Sequence, residues 1–376
     1  MKNKLNYWIY KYLLMKVPVR FQARFIGRNL TGYGLSALET RQERNSCIYR
    51  LIWGFSLIIL PAIAVGLMTG CKSEEAKPPE EWRIQAQTNF GRQPLWSPEG
   101  SHILFGDDRL GQPGLYVWDI TSDPQPLLEG PLSHNWDYRW SPNGDQVAFS
   151  APGETGDSLA GVWVVTIADG SRRRVSDRGR DVSWQTDGMR IAVRIDNPRF
   201  GAPGLFDIDL ESDTLFQIVA GGYQPAYSPA GGWLSYSVDE IRGELRLRSP
   251  EGVVTTAATA GIVQWKWSAE GNCIAAIWND YTSGDLTGYL LKIRTTGNVG
   301  TVDTLARWAG YPAPNRDGSQ VAFLRMSNGA WAGLWLRRGG EELRIAGYGL
   351  SPDFDPGGNR IAAHATGGGI RIFARG

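Results

Sequence analysis

From Trp82 onward the apolar residues fall in short runs broken by polar turns, with no stretch at helical spacing. The runs are Ile103-Leu104-Phe105, Val147-Ala148-Phe149, Ile191-Ala192-Val193, Trp233-Leu234-Ser235-Tyr236, Ile274-Ala275-Ala276, Val321-Ala322-Phe323 and Ile361-Ala362-Ala363. Each is preceded by a Pro- or Gly-containing turn and, before that, by an aromatic or apolar anchor: Trp96, Trp140, Trp184, Tyr227, Trp267, Pro314 or Phe354. Two β-type runs around a Gly turn predict a hairpin. A third run comes next, as in Gly114-Leu115-Tyr116-Val117-Trp118, and then a fourth, as in Gln125-Pro126-Leu127-Leu128.

The anchors lie 44, 44, 43, 40, 47 and 40 residues apart. Four strands at a period of that length cannot bury both faces of their sheet alone. Stacked radially, they form a β-propeller. The expected fold is all-β, with seven four-stranded antiparallel blades; six is the alternative, because the Pro314 and Phe354 copies are the most degraded. The last copy lacks a fourth strand, while Trp82-Arg83-Ile84-Gln85-Ala86-Gln87 precedes the first anchor without a hairpin of its own. That strand is expected to complete the last blade and so remove an open sheet edge.

The amino-terminal part reads differently. Residues 1–50 carry ten Lys or Arg against Glu39 and Glu43, and residues 51–70 form an uncharged apolar segment. Charge excess before such a segment keeps the amino terminus in the cytoplasm and sends the remainder across the membrane. Leu67-Met68-Thr69-Gly70-Cys71 resembles a bacterial lipobox, which implies lipidation of Cys71; an uncleaved signal-anchor helix is the alternative. The basic stretch is either a cytoplasmic extension or the product of a start codon placed too far upstream. Residues 71–81 are polar and Pro-containing and read as a tether. The domain plan is therefore extension 1–50, signal or transmembrane segment 51–70, lipidated Cys and linker 71–81, and propeller 82–376.

The phrase Trp-Ser-Pro-x-Gly-x-x-Ile/Val-Ala-Phe, clearest at Trp96–Phe105 and Trp140–Phe149, resembles the repeat of TolB-like and, more distantly, WD-repeat propellers. It is also found in the propellers of prolyl-oligopeptidase-like enzymes. The resemblance implies the fold over residues 82–376 and an envelope partner. Two departures stand out. TolB-like proteins carry an α/β domain before six blades, and the peptidases carry a hydrolase domain, whereas no Gly-x-Ser-x-Gly elbow occurs in this sequence.

Net charge of +1 with 20% charged residues gives no basic face for nucleic acid. Arg172-Arg173-Arg174 reads as a solvated strand edge. Cys273 reads as a buried thiol with no intrachain disulfide partner. Of the three histidines, His102 and His364 belong to strands, and His134 sits in a loop beside Ser133 and Asp137. Neighbours on one loop do not make a catalytic triad, which is assembled from distant segments. Asp207 and Asp209 read as turn starters, and Asp107-Asp108 is too small a set for a metal. No catalytic residue, metal or cofactor is assigned.

Three residues before each anchor the chain is always polar: Gln93, Asp137, Asp181, Gln224, Gln264, Tyr311 and Ser351. Innermost propeller strands line the channel, so these seven predict a polar ring at one mouth. Either they satisfy backbone donors there, or they form a ligand subsite. Long connections between second and third strands should surround the ring, including 151–160, 196–204, 279–288 and 327–333. Phe200, Tyr281 and Trp331 are their aromatic members, with Arg199 and Arg325 as basic residues nearby, residue types that suit a protein-binding patch. The expected function is a non-catalytic, membrane-tethered lipoprotein scaffold of the bacterial cell envelope, facing the periplasm or exterior. It would act as a monomer on an envelope or peptidoglycan-associated protein. Alternatives are a metal-dependent lyase- or lactonase-like propeller enzyme and a carbohydrate-binding module.

Overall fold

The computed structural model describes residues 82–376, except 110–112, 130–136, 152–159, 198–201, 241–242, 260, 281–286, 297–298 and 328–329. The predicted signal segment, Cys71, His134, Arg199, Phe200 and Tyr281 lie outside the described residues. The first strand, β1 (Trp82–Gln87), takes no part in the blade next to it in the sequence. Blade one holds β2 (Arg92–Trp96), β3 (Ile103–Asp107), β4 (Gly114–Trp118) and β5 (Gln125–Glu129). Blade two holds β6 (Asp137–Trp140), β7 (Gln146–Ala151), β8 (Gly161–Thr166) and β9 (Arg172–Ser176). Blade three holds β10 (Arg180–Trp184), β11 (Arg190–Ile195), β12 (Gly204–Asp209) and β13 (Thr214–Ala220). Blade four holds β14 (Tyr223–Tyr227), β15 (Leu234–Ser237), β16 (Leu245–Arg248) and β17 (Val254–Ala258). Blade five holds β18 (Ile262–Trp267), β19 (Cys273–Asp280), β20 (Thr287–Arg294) and β21 (Val302–Arg307). Blade six holds β22 (Ala309–Pro314), β23 (Gln320–Ser327), β24 (Ala330–Arg338) and β25 (Glu341–Ala346). Blade seven holds β26 (Leu350–Phe354), β27 (Arg360–His364) and β28 (Ile370–Arg375), and β1 pairs antiparallel with β28 as its fourth strand. The ring therefore has seven blades, and the amino-terminal strand closes it.

There is no single core. Seven apolar clusters form instead, each shared by two neighbouring blades, including one between blades seven and one. Strand alternation explains this: in β3, Ile103 and Phe105 belong to the cluster shared with blade seven, while Leu104 belongs to the one shared with blade two. Outer strands such as β13 and β21 are mostly exposed.

The repeat phrase is spelled by local chemistry. The residue after the anchor caps the next strand: the Ser97, Ser141 and Ser268 hydroxyls accept the backbone N–H of His102, Gln146 and Cys273. Asn315 and Asp355 do the same for Gln320 and Arg360 through a side-chain oxygen. The turn glycine takes a left-handed φ, as at Gly100 (+76°) and Gly144 (+78°), where a Cβ is resisted. The anchor indoles staple blades together. Trp140 Nε1 donates to Leu95 O at 3.1 Å, and Trp184 Nε1 to Arg139 O at 3.1 Å. Trp267 Nε1 donates to Ala226 O at 3.0 Å. A buried indole N–H needs an acceptor, and each of these three finds it one blade back.

Candidate functional site

Each innermost strand begins at one face of the ring, the mouth, and runs toward the opposite face, where the anchor turns lie. Five of the predicted ring residues have a left-handed backbone: Gln93 (φ +53°), Asp181 (+57°), Gln224 (+51°), Tyr311 (+53°) and Ser351 (+49°). Each sits where the pairing register of its strand slips, at a β-bulge. Pro follows four of them (Pro94, Pro225, Pro312 and Pro352), at points where the bulge needs no ladder donor. Residues held in this region are uncommon, and the conformation re-aims the side chain.

Asp137 and Gln264 are the exceptions, with ordinary φ, and their side chains serve the next blade. Gln264 Oε1 accepts the backbone N–H of Tyr311 at 2.9 Å. The Asp137 carboxylate accepts that of Val182, beside the strained Asp181. So the backbone-satisfying role holds for these two. The Gln93, Gln224 and Ser351 side chains make no hydrogen bond to any described residue.

A cavity of about 300 Å³ occupies the mouth. Gln93, Asp137, Gln264, Tyr311 and Ser351 line it; Asp181 and Gln224 stand outside its wall. Arg139 and Lys266 also line it, and reading only the ring offset missed them. They stand two residues after the ring positions, so strand alternation returns them to the channel side. That alternation was the available signal. Arg139 pairs with Asp137, and Lys266 crosses past blade six to pair with Asp353 of blade seven. Asp353 also accepts the backbone N–H of Trp96 at 2.7 Å, joining blade seven to blade one. Burial pushes the Asp137 carboxyl up to about 6; the charge of Asp181 adds to this, and Arg139 opposes it.

Around the cavity the mouth is divided. Over blades one to four it is ionic: Arg92 pairs with Asp108 at 2.7 Å, and Arg180 with Asp181, Asp196 and Glu240. Arg194, almost fully buried, bonds Asp196 and the carbonyls of Gly221 and Gly222. Burial and the Arg92 charge hold the half-buried His364 imidazole below its ordinary value. Over blade six the mouth is aromatic. Trp331 meets Tyr311 edge-on with centroids 5.5 Å apart, and a Cβ at Gly310 would fall 2.4 Å from the Trp331 ring.

Several expectations change here. Arg325 and Trp331 lie on strands rather than in a loop, because β23 and β24 pair as far as Ser327 and Ala330. Arg325 is bound by Glu342 and lies over the Trp335 ring, so it is no open contact residue. Asp207 starts no turn: it is buried in β12 and accepts the Tyr227 hydroxyl at 2.9 Å from the next blade, while Asp209 does cap its turn through Ser212. Arg172-Arg173-Arg174 is an exposed outer strand, with Arg173 bonded to Asp213, and Cys273 is a buried free thiol. Among the described residues, no three His, Cys, Asp or Glu side chains converge as metal ligands would.

No protein-family model matches the chain, and no curated protein matches it either. Solved structures do. An oligogalacturonate lyase in complex with manganese aligns with a TM-score of 0.60 at 15% identity, over 80% of this chain and 97% of that one. The β-propeller domain of Myceliophteria thermophila Cps50 (Swd1) aligns at 0.57 and 14% identity, over 78% and 100%. A TolB from Acinetobacter baumannii aligns at 0.45 and 15%, over 80% and 65%. The first two likenesses, at 14–15% identity, establish the propeller and nothing about ligands.

Proposed function

We propose that this chain is a non-catalytic scaffold of the bacterial cell envelope, tethered to a membrane through residues 51–71, whose channel mouth binds an envelope protein. The observation that carries this reading is the state of the mouth. Its charges are already spent on one another, Asp137 with Arg139 and Lys266 with Asp353, while the neutral side chains of Gln93, Gln224 and Ser351 make no hydrogen bond to any described residue. A rigid wall, neutral hydrogen-bonding groups and an aromatic flank suit recognition more than bond cleavage.

The test is capture from solubilised envelopes by the full chain and by its Gln93→Ala/Gln224→Ala/Ser351→Ala variant. The parent is expected to retain a partner at least tenfold better, and equal capture counts against the mouth. A propeller lyase is the second reading, supported by the alignment with an oligogalacturonate lyase. Turnover of oligogalacturonate with manganese added would establish it in place of the scaffold.

A further inference from the structure

We propose that the face opposite the mouth is a docking surface for the phospholipid bilayer, so that the mouth is held pointing away from the membrane. This inference rests on the proposed tether through residues 51–71. Trp82, where the tether joins the propeller, pairs with Arg375, whose backbone N–H bonds Asn359 O at 3.0 Å in the anchor turn of blade seven. The chain therefore enters on the turn face, at the rim of that blade. The eleven residues from Cys71 to Trp82 extend at most about 40 Å, so residue 71 can reach a membrane lying against this face.

The same face carries the exposed apolar side chains. Nine large apolar residues are exposed among those described. Seven of them lie at its turns or rim: Met189, Leu215 and Phe216 in blade three, Val253 and Val254 in blade four, Val299 and Val302 in blade five. Val253 is 64% exposed and Met189 53%. Ile84, third on the closing strand as Phe216 is on β13, stands at the same level in blade seven, and Trp308 lies on the mouth side. In a ring of seven, blades three and four stand across from blade seven, and blade five adjoins them. Tether and apolar arc thus attach the face at opposite rims and lay it flat.

The side chains favour lipid over a protein partner. Met189, Val253 and Val299 stand in turns and the other four near the first residues of outer strands. They are mainly Val, with no Tyr or Trp among them and Arg190 folded over the Phe216 ring. Apolar tips on a polar surface seat in the headgroup boundary of a bilayer. The neighbouring cations Arg173 and Arg190 are paired with Asp213 and Asp209, and the exposed Asp187 and Glu251 beside Met189 and Val253 supply no attraction to an anionic surface. Apolar insertion then dominates, and the contact resists salt.

The full chain, with Cys47 and Cys71 replaced by Ser so that the apolar segment 51–70 is the anchor, is reconstituted in phosphatidylethanolamine–phosphatidylglycerol vesicles containing spin-labelled lipid. A fluorophore is placed at Val253→Cys or at Ser351→Cys. Quenching is expected to be at least threefold stronger at 253 than at 351, unchanged by added salt, and to fall to the level of 351 in the Met189→Ser/Phe216→Ser/Val302→Ser variant. Chain left in the supernatant overturns the tether reading. Chain that sediments with quenching equal at both positions, or stronger at 351, overturns the docking alone. Concentration-dependent dimers abolished by the same variant would make a second copy the occupant and overturn it as well.

Discussion

At five of the seven positions three before an anchor the residue holds a left-handed backbone, which excludes β-branched side chains. At the other two the side chain serves a backbone N–H of the next blade. That is why Gln, Asp, Tyr and Ser recur there while their neighbours vary. Asp137 carries a further load, as a carboxylate confined between Arg139 and the charge of Asp181. Its folded value of about 6 lies above its ordinary 3.8, so the folded chain binds this proton more tightly than the unfolded one. The resulting stability is fully present below about pH 4 and is lost as pH rises through 6. Asp137→Asn keeps an acceptor for the Val182 N–H and removes the ionisation. At pH 7.5 the variant is expected to exceed the parent in stability by about 1–3 kcal/mol, with the two converging below about pH 4. Urea unfolding across that range checks it; a parent that gains on the variant as pH rises would refute the assignment.

At the scale of the element, the closing strand has the most to lose. Trp82 is 1% exposed, in the cluster between blades six and seven, and β1 covers the edge of β28. A chain starting at Thr88 is expected to lose at least about 3 kcal/mol for the buried indole and to associate through the bared strand. Trp82→Ala should show the first effect without the second, which denaturant unfolding and size-exclusion chromatography distinguish. This closure was legible in the sequence because it is a matter of counting: a copy short of one strand and a strand without a copy. The hairpins were legible because Trp-Ser-Pro-x-Gly writes its staple, cap and turn within ten residues. Strand ends were not. Whether 327–333 pairs or loops depends on what β23 finds opposite it, and whether Asp207 turns or is buried depends on Tyr227 in another blade. The polar ring could be placed by its offset, but its bulges, and the return of Arg139 and Lys266 to the channel, depend on register.

For the whole molecule, seven clusters joined end to end mean that no blade can leave without opening two interfaces, so the ring should unfold as a unit. The joint between the last blade and the first is made late in the chain, and Asp353 is its polar fastening. One carboxylate oxygen takes the Trp96 N–H, and the other takes Lys266 from two blades away. Asp353→Asn keeps an acceptor for Trp96 and loses only the ion pair, which is partly exposed at Lys266; a loss of about 1 kcal/mol is expected. Asp353→Ala also leaves a buried N–H without a partner, which adds about 1–3 kcal/mol. If the fastening acts on the closed ring, the alanine variant should unfold in one transition shifted to lower urea, with the slope preserved. A separate early transition would instead mean that blade seven detaches alone, and equal midpoints for the two variants would mean that the Trp96 bond contributes nothing. Because Lys266 stands on blade five, Lys266→Met should reproduce the asparagine variant and add nothing to it, since the two substitutions remove the same contact.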